Sequence, residues 1–110
     1  MPVVHPRPAF EQAVIERIAW LREHAPEEWL DDFLTGLAAV RRDLERFPEA
    51  WPVVTQDERV VLRARPFPDP LPYIVYYTHL RERPIDQVFL SRLLHQRQRR
   101  LRFRLADWPW

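Results

Sequence analysis

Hydrophobic residues recur at helical spacing in the first half of the chain. Two stripes with steps of three or four residues predict one helix over residues 9–25 and a second over residues 27–46. The first stripe consists of Phe10, Val14, Ile18 and Leu21. The second consists of Trp29, Phe33, Leu37, Val40, Leu44 and Phe47. Because only a proline turn at Pro26 separates the two segments, they should form an antiparallel helical hairpin.

The hydrophobic pattern changes after a loop through Trp51 and Pro52. Three runs rich in β-branched and aromatic residues predict strands over residues 59–65, 73–80 and 85–94, the last of them bending near Ser91. In the first of these runs, Val61, Arg63 and Arg65 should share one face of the strand.

The order of these elements predicts the fold class. Short links between consecutive strands favour an antiparallel meander, and Val3–Val4, framed by prolines, should form a short edge strand before the helices. We therefore expect an α+β fold in which the helical hairpin packs on an antiparallel β-meander, in the order β-α-α-β-β-β. The length predicts a single domain over residues 1–110, with residues 101–110 as a C-terminal tail.

Composition narrows the function classes. The chain has no cysteine, so it cannot form a disulfide framework or a thiolate metal site. Its four histidines show no paired ligand spacing, and its one glycine, Gly36, excludes a glycine-rich phosphate loop. We therefore expect no metal and no cofactor. No apolar run is long enough for a membrane span and the first residues contain no signal-peptide pattern, so we expect a cytoplasmic protein without membrane contact.

Charge is distributed unequally along the chain. Residues 60–110 contain ten arginines and four acids, and the stretch from Arg92 to Arg104 contains six arginines and no acid. All seventeen Lys and Arg residues are arginine, which pairs bidentately with phosphate or carboxylate and stacks on aromatic rings. This asymmetry indicates an anionic partner, either an acidic protein or a nucleic acid.

The candidate site residues lie in this basic half. The basic candidates are Arg63, Arg65, Arg92, His95, Arg97, Arg99 and Arg100. They are consistent with three roles: a solvated or protein-facing basic surface, a nucleic-acid contact, or RNA cleavage with His95 moving protons. Tyr73 and Tyr77 share one face of their strand and are candidates for base stacking, for a role as an acid, or for strand packing. Trp108, in the tail, is a candidate anchor that either folds back on the sheet or docks into a partner.

Several short segments, in this order, resemble the RelE/ParE superfamily of toxins from bacterial type II toxin–antitoxin modules. The segments are Phe47-Pro48, residues 62–67, the run Pro72-Tyr-Ile-Val-Tyr-Tyr77, and Leu94-His-Gln-Arg-Gln98. The last two look closer to the ParE-like, or plasmid-stabilisation, branch. The resemblance covers about residues 3–100 and implies the same helical hairpin on an antiparallel sheet.

The resemblance implies a growth-inhibiting toxin that a cognate acidic antitoxin protein neutralises. A ParE-like member would act on DNA gyrase, without catalysis. A RelE-like member would instead be an endoribonuclease that cleaves messenger RNA on the ribosome, and His95 with Arg63 or Arg65 and Glu45 or Glu49 would then stand in for its catalytic set. A third possibility is a RelE-like fold that has lost toxicity and serves only as a binding module.

Overall fold

The computed structural model describes residues 2–58, 60–81 and 86–98. Its elements in chain order are β1 (Val3–Pro6), α1 (Pro8–His24), α2 (Glu27–Arg46), β2 (Val53–Gln56), β3 (Val61–Pro66), β4 (Tyr73–Arg81), β5 (Asp86–His95) and a short 3-10 turn (Gln96–Gln98). The predicted α+β class is confirmed, and α1 and α2 lie within one residue of their predicted bounds. Pro8 begins α1, where its missing N–H costs no helical hydrogen bond.

The sheet differs from the predicted antiparallel meander in being mixed and in having five strands. Its spatial order is β1-β5-β4-β3-β2. The strands β2 to β5 pair antiparallel, but β1 pairs with β5 in parallel, with Val3 opposite Gln87. Between β1 and β5 the chain passes through both helices and the rest of the sheet, and such a long connection permits a parallel pair.

The strand β2 is the element that the sequence analysis missed. It occupies the predicted loop after Pro52 and pairs with β3, so that Gln56 lies opposite Val61. Its four residues are too few to show an alternating pattern, although Val53 and Val54 favour a strand. The observed order is therefore β-α-α-β-β-β-β, one strand more than predicted.

The main core lies between the two helices and one face of the sheet. From α2 it contains Phe33, Val40 and Leu44, all at most 1% exposed. The ends of the predicted α2 stripe do not join the core, because Trp29 remains 57% exposed and Phe47 61% exposed. The stripe is thus longer than the surface that the sheet covers.

A bulge at Ser91 decides which β5 side chains face the helices. Tyr77 pairs with Leu90, whereas Tyr76 pairs with Arg92, so Ser91 is an extra residue in β5. Leu90 faces the helices, and the bulge shifts the alternation so that His95 also faces them, opposite Tyr73. The bend predicted near Ser91 is this bulge.

The opposite face of the sheet carries a second, smaller apolar cluster. Leu62, Ile74, Tyr76 and Leu94 are its buried members. Arg92 lies on this face, since it pairs with Tyr76. The basic residues of β5 are therefore divided, with Arg92 on one face of the sheet and His95 on the other.

Candidate functional site

A cleft opens where α1 crosses the ends of β4 and β5. Arg17 and Trp20 line it from α1, Tyr73 from the start of β4, and His95 from the end of β5. Its volume is about 370 Å³, which is at the small end of the range for ligand pockets. The register explains the meeting of the strand residues, because Tyr73 pairs directly with His95.

An aromatic cluster fixes the floor of this cleft. The Tyr73 ring packs edge-on against Phe33, with 5.0 Å between the ring centroids, and lies 5.3 Å from Phe67. Phe33 and Phe67 are buried and stacked on each other. Tyr73 itself is only 7% exposed, so it presents a rigid edge to the cleft rather than a mobile side chain.

Arg17 bridges the aromatic residues on the two sides of the cleft. Its guanidinium carbon lies 5.4 Å from the Trp20 ring centroid and 5.5 Å from that of Tyr73, both within cation–π range. Trp20 in turn stacks on His24, one turn further along α1. Since Trp20 is 45% exposed, the cleft presents a partly desolvated cation beside an accessible indole.

A second cavity of about 410 Å³ continues the cleft towards the start of α2. It shares Arg17, Trp20, Tyr73 and His95 with the cleft, and it adds Trp29 and Asp32 from α2. The two exposed indoles, Trp20 and Trp29, thus belong to one continuous groove. We call the two cavities together the tryptophan groove.

The surroundings of His95 favour the neutral form of its imidazole. Partial burial lowers the pKa of its imidazole, and the nearby guanidinium groups of Arg17 and Arg97 lower it further. The Arg97 backbone N–H donates a hydrogen bond to His95 Nδ1 over 3.1 Å. Because a neutral imidazole carries one N–H, the proton then resides on Nε2. In this tautomer His95 offers a hydrogen-bond donor rather than a base.

The structure does not bring Arg63 and Arg65 to His95. They lie on β3, with β4 between them and β5, so the backbones are separated by about 10 Å, or two strand spacings. Arg63 donates hydrogen bonds to the carbonyl oxygens of Glu49 and Trp51. Arg65 pairs with Asp43 over 2.8 Å and stacks over the Trp51 ring. Both guanidinium groups therefore tie β3 to α2 and to the segment that follows it.

Tyr77 has no surface to present to a partner. It is fully buried, and its hydroxyl donates a hydrogen bond of 2.5 Å to the Pro48 carbonyl oxygen. Burial raises the pKa of its phenol, an effect that Arg63 and Arg65 only partly offset. Tyr77 thus fastens the end of α2 to the sheet.

The remaining predicted site residues fall in two groups. Arg97 is exposed beside His95, and Arg92 lies on the opposite face of the sheet. Arg99, Arg100 and Trp108 lie outside the described residues.

Sequence reasoning missed Arg17 and Trp20, which share one face of α1 with a spacing of three residues. The signal for them in the sequence was a tryptophan three residues after an arginine on the predicted first helix, because both residue types are frequent at binding surfaces.

No family model, curated protein or solved structure matches the chain. Comparison with known proteins therefore does not assign a role to the cleft. In the described ranges, no helix is long and apolar enough to cross a membrane. The same ranges contain no group of three or more His, Cys, Asp or Glu side chains placed to hold a metal ion.

Proposed function

We propose that this chain is the growth-inhibiting toxin of a type II toxin–antitoxin module, of the ParE-like kind, and that the tryptophan groove binds its protein target, DNA gyrase. One observation carries the proposal: Arg17 stacks between Trp20 and Tyr73 at the mouth of an open groove. Tryptophan, tyrosine and arginine are the residue types that dominate binding energy at protein interfaces. The groove brings all three together, because Arg17 and Trp20 lie within one turn of α1 and the Tyr73 ring centroid of β4 is 5.5 Å from the Arg17 guanidinium carbon.

The groove also suits neutralisation by an acidic antitoxin. A carboxylate that enters beside Trp20 would meet the Arg17 guanidinium and the Nε2–H group of His95. Two acids, Glu16 and Asp32, line other parts of the same groove. Apolar side chains of the same segment would cover the two exposed indoles. A partly disordered acidic segment that folds on binding would thus gain both charge pairing and apolar burial.

A ribosome-dependent endoribonuclease is the second candidate. The Nε2–H group of His95 favours it, because it can donate a hydrogen bond to a phosphate oxygen and so help to stabilise developing charge. Cleavage also requires a base for the 2′-hydroxyl, and the tautomer of His95 does not supply one. The endoribonuclease hypothesis used Arg63 and Arg65 to stabilise charge. In the structure Arg63 instead donates hydrogen bonds to backbone carbonyl oxygens, and Arg65 pairs with Asp43. We therefore favour target binding over catalysis.

Induced expression of the chain in a bacterial host tests the proposed function. We expect growth arrest, loss of negative supercoiling in a reporter plasmid, and intact messenger RNA by primer extension. Normal growth would contradict both toxin hypotheses and leave a binding module without toxicity. Growth arrest with messenger RNA cleaved at defined positions and with normal supercoiling would instead establish the endoribonuclease.

A further inference from the structure

The second cavity of the tryptophan groove is lined mainly by apolar side chains. Leu21 of α1 and Trp29 of α2 form two of its sides, and the loop between β3 and β4 around Leu71 forms a third. Gly36 lets this loop pack closely against α2, because a Cβ atom there would lie only 2.8 Å from Leu71 Cδ1. The loop wall of the cavity is therefore held in place by the packing of Leu71 on α2.

The three loop residues in this wall offer no hydrogen-bond donor to an occupant. Pro70 and Pro72 have no backbone N–H, and the Leu71 N–H between them donates to the Pro68 carbonyl oxygen over 3.1 Å. A group that needs donors, such as the edge of a nucleobase, would lose hydrogen bonds to water here without replacing them. A phenyl ring loses none, and it gains a stacking surface on the exposed indole of Trp29.

Arg17 places an unpaired positive charge at the boundary of the two cavities, since it lines both. The salt bridges among the described residues involve other cations, and the Arg17 guanidinium lies over the rings of Trp20 and Tyr73. Such stacking uses the flat faces of a guanidinium. The N–H donors at its edges remain available for a carboxylate.

Two acids determine where the carboxylate of an occupant can lie. Asp32 lines the second cavity but not the cleft, so it would repel a carboxylate from the second cavity. Glu16 lines the cleft, but it is exposed and accepts a hydrogen bond from Gln12 over 3.1 Å, so water screens much of its charge. The groove therefore favours an anionic group in the cleft and an apolar group in the second cavity.

We propose that the tryptophan groove binds an extended partner segment in which an acidic residue lies two positions from an aromatic residue. Side chains two positions apart point to the same side of an extended segment. The aromatic ring enters the second cavity beside Trp29, and the carboxylate pairs with Arg17 from the cleft. The inference rests on the proposed function in treating the groove as a protein-binding surface, and it adds the side chains that the partner presents.

NMR of the indole N–H groups of the full chain tests the proposal. The probe is the tripeptide N-acetyl-Asp-Ala-Phe-amide, and the matched probe is N-acetyl-Asn-Ala-Phe-amide, which lacks only the charge. We expect saturable shifts at Trp20 and Trp29, with a dissociation constant on the order of millimolar for the acidic peptide. Trp51, which lies under Arg65 and does not line the groove, is the internal reference and should not shift. The uncharged peptide should bind about three- to fivefold more weakly, as expected for one partly exposed ion pair.

Two variants make the test specific for the charge contact. Arg17→Gln should weaken binding of the acidic peptide to the level of the uncharged peptide and leave the uncharged peptide unaffected, because the two changes remove the same interaction. The control Arg22→Gln removes an exposed cation from the same helix and should bind both peptides as the unmodified chain does. Circular dichroism checks that both variants fold.

Several results would overturn the proposal. They are the absence of saturable shifts at Trp20 and Trp29, equal binding of the two peptides by the unmodified chain, and equal weakening of both peptides by Arg17→Gln. Tighter binding of N-acetyl-phenylalanine would assign the groove to a chain terminus instead, and tighter binding of adenosine monophosphate would assign it to a nucleotide. Growth is not measured here, so a negative result would refute these side chains and leave the proposed toxin standing.

Discussion

The Phe33→Ala variant should lose about 3–5 kcal/mol of the free energy of unfolding, the usual cost of removing a buried phenylalanine side chain. Phe33 is 0% exposed and contacts the rings of both Phe67 and Tyr73. Its removal leaves a cavity that these two rings cannot fill without abandoning their packing. Since small domains are stable by only about 5–15 kcal/mol, the variant should be close to the limit of folding.

Urea unfolding followed by circular dichroism measures this loss. The midpoint should fall by roughly 2–3 M for a slope near 1.5 kcal/mol/M. The neighbouring Leu34→Ala substitution is the control, because Leu34 lies on the same helix and is 43% exposed. It should change stability by only about 0.5 kcal/mol. Equal losses from the two variants would show that the core is not where the structure places it.

Charge reversal at Arg17 should abolish growth arrest while the protein remains folded. Arg17 is half-buried between two aromatic rings, and a glutamate there would replace the cation that contacts these rings with an anion. Reversing a charge at the centre of an interface costs several kcal/mol, or about a hundredfold or more in affinity. The measurement is the number of colonies formed on inducer, with the amount of protein checked by immunoblot.

Arg22→Glu is the matched control for Arg17→Glu. It makes the same charge change on the same helix, but at an exposed position that does not line the groove. Cells that produce this variant should still fail to grow on inducer. If both variants restore growth, overall charge rather than the groove governs toxicity, and if neither does, Arg17 is not part of the binding surface.

The helices and the strands β3 to β5 could be predicted because their patterns are local. The α2 stripe repeats over twenty residues and α1 begins at a proline, so periodicity and helix-end chemistry agree. The direction of β1 could not be predicted in this way. It depends on which later strand pairs with a four-residue strand that precedes both helices, and an isolated pair of valines carries no information about its partner strand.

Sequence reasoning could predict only part of the candidate site, and the bulge at Ser91 shows why. Alternation along β5 predicts that Arg92 and Leu94 share a face with Leu90, but one extra residue moves both to the other face and turns His95 towards the helices. The density of arginines also suggested a single basic surface. Burial and pairing instead assign Arg65 to Asp43 and Trp51, and the cation that opens onto the cleft is Arg17, outside the basic half.

The central claim is that the tryptophan groove contacts a protein target directly, and site-specific photo-crosslinking tests it most directly. A benzophenone amino acid in place of Trp20 would lie in the groove, whereas the same group in place of Ile15 would lie at another exposed position of α1, one that does not line the groove. With purified DNA gyrase, we expect a crosslinked product from the probe at Trp20 and none from the probe at Ile15. Crosslinking from the Ile15 position alone, or from neither position, would contradict the account.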